Sequence, residues 1–406
     1  MAAPPGQRAG PTGPPLPAAR PAVRAGVAGR HRGRPAAPPP GRRAGAPISV
    51  LPCRRLRAAA LPAGRAVMSR PDVCVVVVSY NTRELTLRCL RELDNSRTPD
   101  VRFDIVVVDN ASTDGSADAI ATHFPEVRLV RLTENVGWGR GVNRGAAVGD
   151  SDYLLLVNPD TMPVGQPVSD LLTFARQRPE HRIYTGRTLH ADGTDDGYSC
   201  WGLPSMWSHV TFATGLSTVF PGRQWANPEG LPRYDRRTVR EVPAVSGCLL
   251  LIERALFEQL GGFDPVYFLY SDDIDLCTRA AALGARPVVC PGVAVIHVGG
   301  ASSSSDGQRI KILRGRVTYL RRHWSPLRAR LGIRLLVAGI GLRAAGRLLL
   351  GAHRSRGVNW VTVWRQRAVW TAGWPPVDEP RPPDDPNRPP RDGVTDASPA
   401  EVTSTT

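Results

Sequence analysis

Residues Val73 to Ser79 read VCVVVVS, seven positions with five valines and no charge. A strand with one wet face alternates apolar and polar residues, whereas this run is apolar at both parities. It must be covered on both faces, as a parallel strand between two helical layers is. The pattern recurs along the chain. Helical spacing over Leu85 to Leu93 is followed by a second strand, Ile105 to Val108, and a short helix, Ser116 to Phe124. A third strand, Val127 to Leu132, leads to a helix near Gly141 to Val148, and a fourth strand covers Tyr153 to Val157. Strands alternating with helices predict a doubly wound α/β sheet. Such sheets bind ligands beyond the carboxyl ends of their strands.

Polar residues stand where each apolar run stops. Ser79, Tyr80 and Asn81 follow the first strand, Asp109 and Asn110 the second, Asn135 and Gly137 the third, and Asn158 and Asp160 the fourth. Any one of these reads equally as a turn or a helix cap. Four in register predict a polar crevice. Residues 161 to 245 have weak periodicity and contain Trp201, Trp207 and Trp225, which predicts loops and short strands shaping an acceptor pocket. Beyond them, Val245 to Ile252 is apolar and Glu253 to Leu260 is helical in pattern. The stretch FLYSDDIDLC then sets Asp272, Asp273 and Asp275 among apolar residues. Unpaired buried carboxylates cost several kcal/mol or take up a proton, so these must be paired or face a crevice. On a helix from Leu269 to Leu283, Asp272 and Asp275 share a face and Asp273 is turned about 100° away.

The net charge of +16 is unevenly placed. Residues 1–70 hold thirteen Arg and no acid among Ala, Pro and Gly, and read as a disordered extension. Residues 309–370 hold fourteen Arg, the chain's only lysine (Lys311) and no acid, while the Pro-rich tail 371–406 carries −4 and also reads as disordered. Residues 71–308 are left as an acidic domain of −8. An acidic middle and a 1–70 segment without aromatics weigh against the alternative of nucleic-acid binding through the Arg-rich flanks, so no nucleic-acid partner is expected. Within 309–370, Leu331 to Leu350 is apolar but interrupted by Arg334, Arg343 and Arg347. Its longest uncharged run is eight residues, far below the ~20 needed to span a bilayer. It reads as a basic helix lying in the membrane interface, or as an ordinary helix packed on the domain. Seven Cys without a CxxC pair argue against a disulfide framework and a zinc site, and point to a reducing compartment. The N-terminus lacks a continuous apolar signal run; it reads as an Arg-rich transit peptide or as an extension upstream of a start at Met68.

Six ordered motifs carry a resemblance. They are VVSYN (77–81), VVDNASTDGS (107–116), ENVGWGRGVNRG (134–145), LLLVNPDT (154–161), VSGCLLLIER (245–254) and GGFDPVYFLYSDDIDLCTRAAALG (261–284). Together they resemble family 2 glycosyltransferases of the GT-A fold, and within these the bacterial rhamnosyltransferases of cell-wall or surface polysaccharide assembly; this implies a Rossmann-like α/β fold with a mixed, mostly parallel sheet flanked by helices and a C-terminal helical basic extension. The resemblance implies that Ser79, Tyr80, Asn81, Asp109 and Asn110 hold a nucleoside. It places Asn135, Gly137, Arg140, Asn143 and Asn158 along the nucleotide-sugar. Asp160 matches the last acid of the family's metal-binding DxD, with Asn158 in place of the first, and His297 stands where a further ligand for Mg²⁺ or Mn²⁺ is found. Asp273 takes the position of the general base, Asp272 an orienting one, and Asp275 a structural one. The implied reaction moves L-rhamnose from dTDP-rhamnose to a polyprenyl-diphosphate-linked saccharide. The implied place is the cytoplasmic face of the plasma membrane, with 309–370 in peripheral contact. A UDP-dependent hexosyl-, N-acetylhexosaminyl- or galactofuranosyltransferase is the alternative within the family, and a catalytically silent nucleotide-sugar sensor is another.

Overall fold

A computed structural model describes residues 70–298, 305–349 and 358–377. Residues 1–69, Met68 among them, and the tail beyond 377 lie outside the described residues. The first half follows the predicted alternation: β1 (Val73–Ser79), α1 (Arg83–Asn95), β2 (Phe103–Asp109), α2 (Ser116–His123), β3 (Arg128–Arg131), α3 (Trp138–Val148) and β4 (Tyr153–Val157). Alternate residues of β1 enter opposite cores. Val73, Val75 and Val77 pack with Leu90 and Leu93 of α1 and with Leu171 and Leu172 of a later helix. Cys74, Val76 and Val78 pack with Val142 and Ala146 of α3.

The stretch expected to be loops is more regular than its sequence. It holds β5 (Thr161–Val164), α4 (Pro167–Arg176), β6 (Ile183–Leu189), β7 (Cys200–Trp201), α5 (Met206–Ala213), α6 (Leu216–Val219), β8 (Arg240–Glu241) and β9 (Ala244–Val245). Then follow β10 (Leu249–Glu253), α7 (Arg254–Gln259), α8 (Asp272–Ala282) and β11 (Val288–His297). The nine-stranded sheet runs β3-β2-β1-β4-β10-β6-β11-β5, with β8 beside β11. The pairs among β1 to β4 and the β6–β11 pair are parallel, and β10, β5 and β8 pair antiparallel.

Register places the site. Ser79 pairs with Asp109, and Val77 with Val157, so three strands end together. Leu249 pairs with Val157, which sets Cys248 beside Asn158, and His297 pairs with Thr161, which sets it beside Asp160.

The C-terminal helices are α9 (Ser305–His323), α10 (Pro326–Leu349), α11 (Trp360–Arg365) and α12 (Arg367–Ala372). They are not a free arm. Val317, Leu320, Trp324, Leu336, Ile340 and Trp370 belong to the same core as the α3 face of the sheet. Arg343 donates to the Phe212 carbonyl at 2.9 Å, and Arg316 pairs with Glu229 at 2.6 Å. The packed-helix reading therefore holds for the inner face of this segment, and ordered chain continues past residue 370 to Val377.

Candidate active site

The strand ends converge, but not every polar side chain faces the crevice. Ser79 is fully buried, and its hydroxyl shares a 2.9 Å hydrogen bond with Thr86 of α1. It closes the start of that helix. Tyr80 is exposed beside it. Asn81, held at φ 52, accepts the Thr113 N–H at 2.8 Å and thereby ties the loop after β1 to the loop after β2. Asn110 uses its whole amide to clamp the next loop, accepting from Val136 N–H at 2.9 Å and donating to Asn135 Oδ1 at 3.0 Å and the Gly137 carbonyl at 3.1 Å. Asn135 in turn accepts the Gly137 N–H at 3.0 Å. Asn143 likewise accepts from Phe263 N–H and donates to the Phe263 carbonyl, both at 2.9 Å. The side chains of Ser79, Asn110 and Asn143 are thus paired within the fold, by loop backbones and helix residues, as buried amides and hydroxyls must be.

Asp109 is different. It is buried, its Oδ2 accepts the Ser112 N–H at 3.1 Å, and its Oδ1 has no hydrogen-bond partner among the described residues. A buried carboxylate oxygen without a donor is costly, and a ligand N–H at that position would satisfy it. Arg140 lies half-buried on the first turn of α3.

Gly137 shows why a glycine stands at the mouth of α3. Its φ is +91°, and a Cβ there would lie 2.3 Å from the Phe268 carbonyl oxygen. Trp138 N–H bonds that same oxygen at 3.0 Å. The loop after β3 is thus docked, backbone to backbone, on the loop that precedes the aspartates.

Two adjacent residues in left-handed conformation, Tyr270 (φ 66) and Ser271 (φ 67), break the chain immediately before α8. The helix begins at Asp272, three residues later than its apolar pattern implies, so all three aspartates occupy its first turn. Negative charge is favoured there by the helix dipole. Asp275 is fully paired: Arg279 Nε at 2.8 Å, His323 Nε2 at 2.7 Å and the Tyr267 hydroxyl at 3.2 Å. Burial raises its pKa, but Arg279 and His323 outweigh this and hold it down at about 2. Asp272 is buried with an unpartnered Oδ2, and burial together with the neighbouring Asp273 charge pushes it up to about 8. Asp273 is half-buried; burial raises it, and the N–H groups of Ile274 and Gly247 temper the rise to about 6. Both carboxyls are pushed up, Asp272 also by the neighbouring Asp273 charge, so the pair readily retains a proton and Asp273, the more open of the two, can accept one.

On the opposite side of the crevice, His297 Nδ1 lies 3.2 Å from Asp196 Oδ2, and its Nε2 lies 3.7 Å from Asp160 Oδ2. Burial lowers the imidazole pKa, but Asp196, Cys248 and Asp160 together raise it to about 11. Among the described residues no three His, Cys, Asp or Glu side chains form a metal cluster. Without a cation the imidazole is protonated between the Asp160 and Asp196 carboxylates; a cation held by Asp160 and partly by substrate phosphates would take the place of the Nε2 proton, with Nδ1–H still donating to Asp196.

Asp196, Gly247 and His323 carry this site and were not legible. Asp196 sits in the acid-rich turn ADGTDDGYS, which reads as solvated loop. Gly247 acts through a backbone N–H, and His323 lies in a segment whose charge pattern points outward.

The sequence model described as Glycosyl transferase family 2 matches residues 74–261. The N-acetylglucosaminyl-diphospho-decaprenol L-rhamnosyltransferase of Mycobacterium tuberculosis is 30% identical over 243 residues, covering 57% of this chain and 78% of that protein. The rhamnosyltransferase WbbL of Escherichia coli K12 is 27% identical over 240 residues, covering 55% of this chain and 83% of its own. A solved mannosyltransferase from Pyrobaculum calidifontis, in complex with GDP-Man and Mn²⁺, aligns with TM-score 0.47 and 20% identity, over 75% of this chain and 86% of that one. With the six motifs in order on a mostly parallel sheet and a 30% identical relative matched over most of its length, the chain belongs to the family 2 glycosyltransferases and is an enzyme of sugar transfer.

Proposed function

We propose that this enzyme inverts the anomeric centre as it moves a sugar from a nucleotide diphosphate to a hydroxyl of a lipid-linked saccharide, with L-rhamnose from dTDP-rhamnose as donor. The observation that carries the reading is the pair of adjacent carboxylates in the first turn of α8, Asp272 buried with an unpartnered Oδ2 and Asp273 half-buried with an Oδ1 that accepts the Ile274 N–H. Asp273 takes the acceptor hydroxyl proton as that oxygen attacks the anomeric carbon, and the sugar–phosphate bond breaks on the opposite face. Asp272, protonated, orients the acceptor. Asp109 Oδ1 meets the base N–H. Asp160 and His297 hold Mg²⁺ or Mn²⁺, which when bound offsets the charge developing on the leaving diphosphate.

The membrane part of the proposal is supported by the outer face of α10. Leu327, Leu331, Arg334, Ala338, Leu342, Ala345 and Leu349 recur at steps of three and four and are all exposed. Leu327 is 78% and Leu349 84% exposed, far from core behaviour on a helix whose other side is buried. Arg328 and Arg330 flank the stripe, which suits a helix lying along an anionic leaflet rather than crossing it. Among the described residues no helix is long and apolar enough to cross a membrane. On this reading the enzyme sits peripherally at the cytoplasmic face.

Thermal shifts with dTDP, UDP and GDP, each with and without Mn²⁺, followed by transfer assays with the matching nucleotide-sugars, test the proposal. Mn²⁺-dependent stabilisation by dTDP, and its loss in Asp160→Ala, are the expected results. A UDP preference turns the reading to the hexosyl, N-acetylhexosaminyl or galactofuranosyl alternatives. No response to any nucleotide contradicts it.

A further inference from the structure

A cavity of about 610 Å³ lies between α9, the α11–α12 pair and the loop before α8. Its size is that of a small-ligand site. Lys311 and Arg314 line it one helical turn apart on α9, so both cations face one space. Phe268 forms the wall toward the catalytic loop, and the Trp374 indole N–H bonds the Leu269 carbonyl at 3.2 Å. Thr362 and Gln366 add neutral polar groups on the opposite wall.

Neither cation has an ion-pair partner among the described residues. Arg314 is held in place by the Gly373 carbonyl at 3.1 Å and by stacking on Trp374 at 4.2 Å, which leaves its terminal nitrogens for another acceptor. Burial alone lowers its pKa, with no nearby charge to offset the cost. The one carboxylate lining the cavity among the described residues, Asp306, accepts the Asn359 N–H at 2.6 Å. Elsewhere on α9, by contrast, Arg316 meets Glu229 and Arg322 meets Asp264. With two cations against one carboxylate, the described lining is net positive beside an indole and a phenyl ring, which calls for an anion joined to an apolar body.

We propose that this cavity binds the diphosphate of the lipid-linked acceptor, with Lys311 and Arg314 on the phosphates and Phe268 and Trp374 against the first prenyl carbons. The inference rests on the acceptor class proposed above, and adds where that acceptor is gripped. The wall at Phe268 lies four residues before Asp272, so a headgroup held here directs its saccharide toward the crevice. Donor and acceptor phosphates would then bind on separate surfaces, the first by Asp160 and His297, the second by α9.

The test is direct binding of geranyl diphosphate, geraniol and dTDP to the full chain by calorimetry. The wild type is expected to bind geranyl diphosphate at least about tenfold more tightly than geraniol, as charge-assisted contacts require. Lys311→Gln, which removes the charge and keeps most of the side-chain length, is expected to weaken geranyl diphosphate about tenfold while leaving the dTDP affinity and the melting temperature unchanged. Arg314→Gln should weaken it further; its melting temperature reports separately on loss of the Trp374 stack. Unaltered geranyl diphosphate binding in Lys311→Gln overturns the proposal, and so does an equal loss of dTDP binding, which would assign the cavity to the donor. A chain that transfers no sugar yet still shows the Lys311 dependence retains this subsite and loses the reaction proposed above.

Discussion

His323 Nε2 lies 2.7 Å from Asp275 Oδ1, so the basic C-terminal helix is bonded to the same turn that presents Asp272 and Asp273. Arg322, one residue earlier, meets buried Asp264 in the turn leading to that loop. The basic helix α9 and the turn that carries the aspartates are therefore joined by two charged contacts.

The Asp275 carboxylate titrates at about 2 in the fold, against 3.8 for the free group. A depressed acid stabilises the fold above its unfolded pKa and ceases to do so as pH falls through the folded value. This amounts to about 2 kcal/mol above pH ~4, lost by pH ~2. Asp275→Asn should destabilise by about 3 kcal/mol at neutral pH because Arg279 and His323 are left facing an amide. Urea unfolding should show that gap narrowing as the pH is lowered from about 4 to 2.

Asp272 has the opposite sign. Its pKa is raised to about 8, so the fold bears a growing penalty from pH ~4 upward, which levels off above pH ~8. Asp272→Asn is expected to raise the melting temperature at pH 9 and to change it little at pH 4. Activity should fall in the same variant.

Asn143 and Asp109 separate scaffold from ligand contact. Asn143→Ala removes two buried hydrogen bonds to Phe263 and should cost about 2 kcal/mol of stability, with nucleotide affinity retained. Asp109→Ala should weaken nucleotide binding by about 1–3 kcal/mol, read by calorimetry.

Gly137→Ala puts a methyl group 2.3 Å from the Phe268 carbonyl at a φ that strains any other residue. The catalytic loop must move, so turnover should drop at least about tenfold, with a lower melting temperature and a retained nucleotide signal.

The strands that position the site were readable because burial on both faces leaves a continuous apolar run, as in Val73–Ser79. β6 and α4 were not, although β6 lies inside the sheet, because IYTGRTL mixes polar residues whose partners come from distant chain. Thr185, for instance, donates to the Leu249 carbonyl at 2.6 Å. The aspartates were visible as charges in apolar sequence, and Asp275 could be set apart from Asp273 by helical spacing. Which strand-end amides face a ligand was not legible: Asn110 and Asn143 differ from Asp109 only in what the loops bring to them. Nor did the basic segment reveal two faces, since its inner leucines and outer leucines read alike until the core covers one set.

In the proposed reaction Asp273 is the base. Steady-state transfer from dTDP-rhamnose by wild type and Asp273→Asn, with dTDP affinity measured on the same samples, tests it most directly. Expected are a wild-type rate that falls off below pH ~6 and, in the variant, a loss of at least about 10²-fold in kcat with dTDP affinity nearly unchanged. A variant that binds the nucleotide and turns over at the wild-type rate would contradict it.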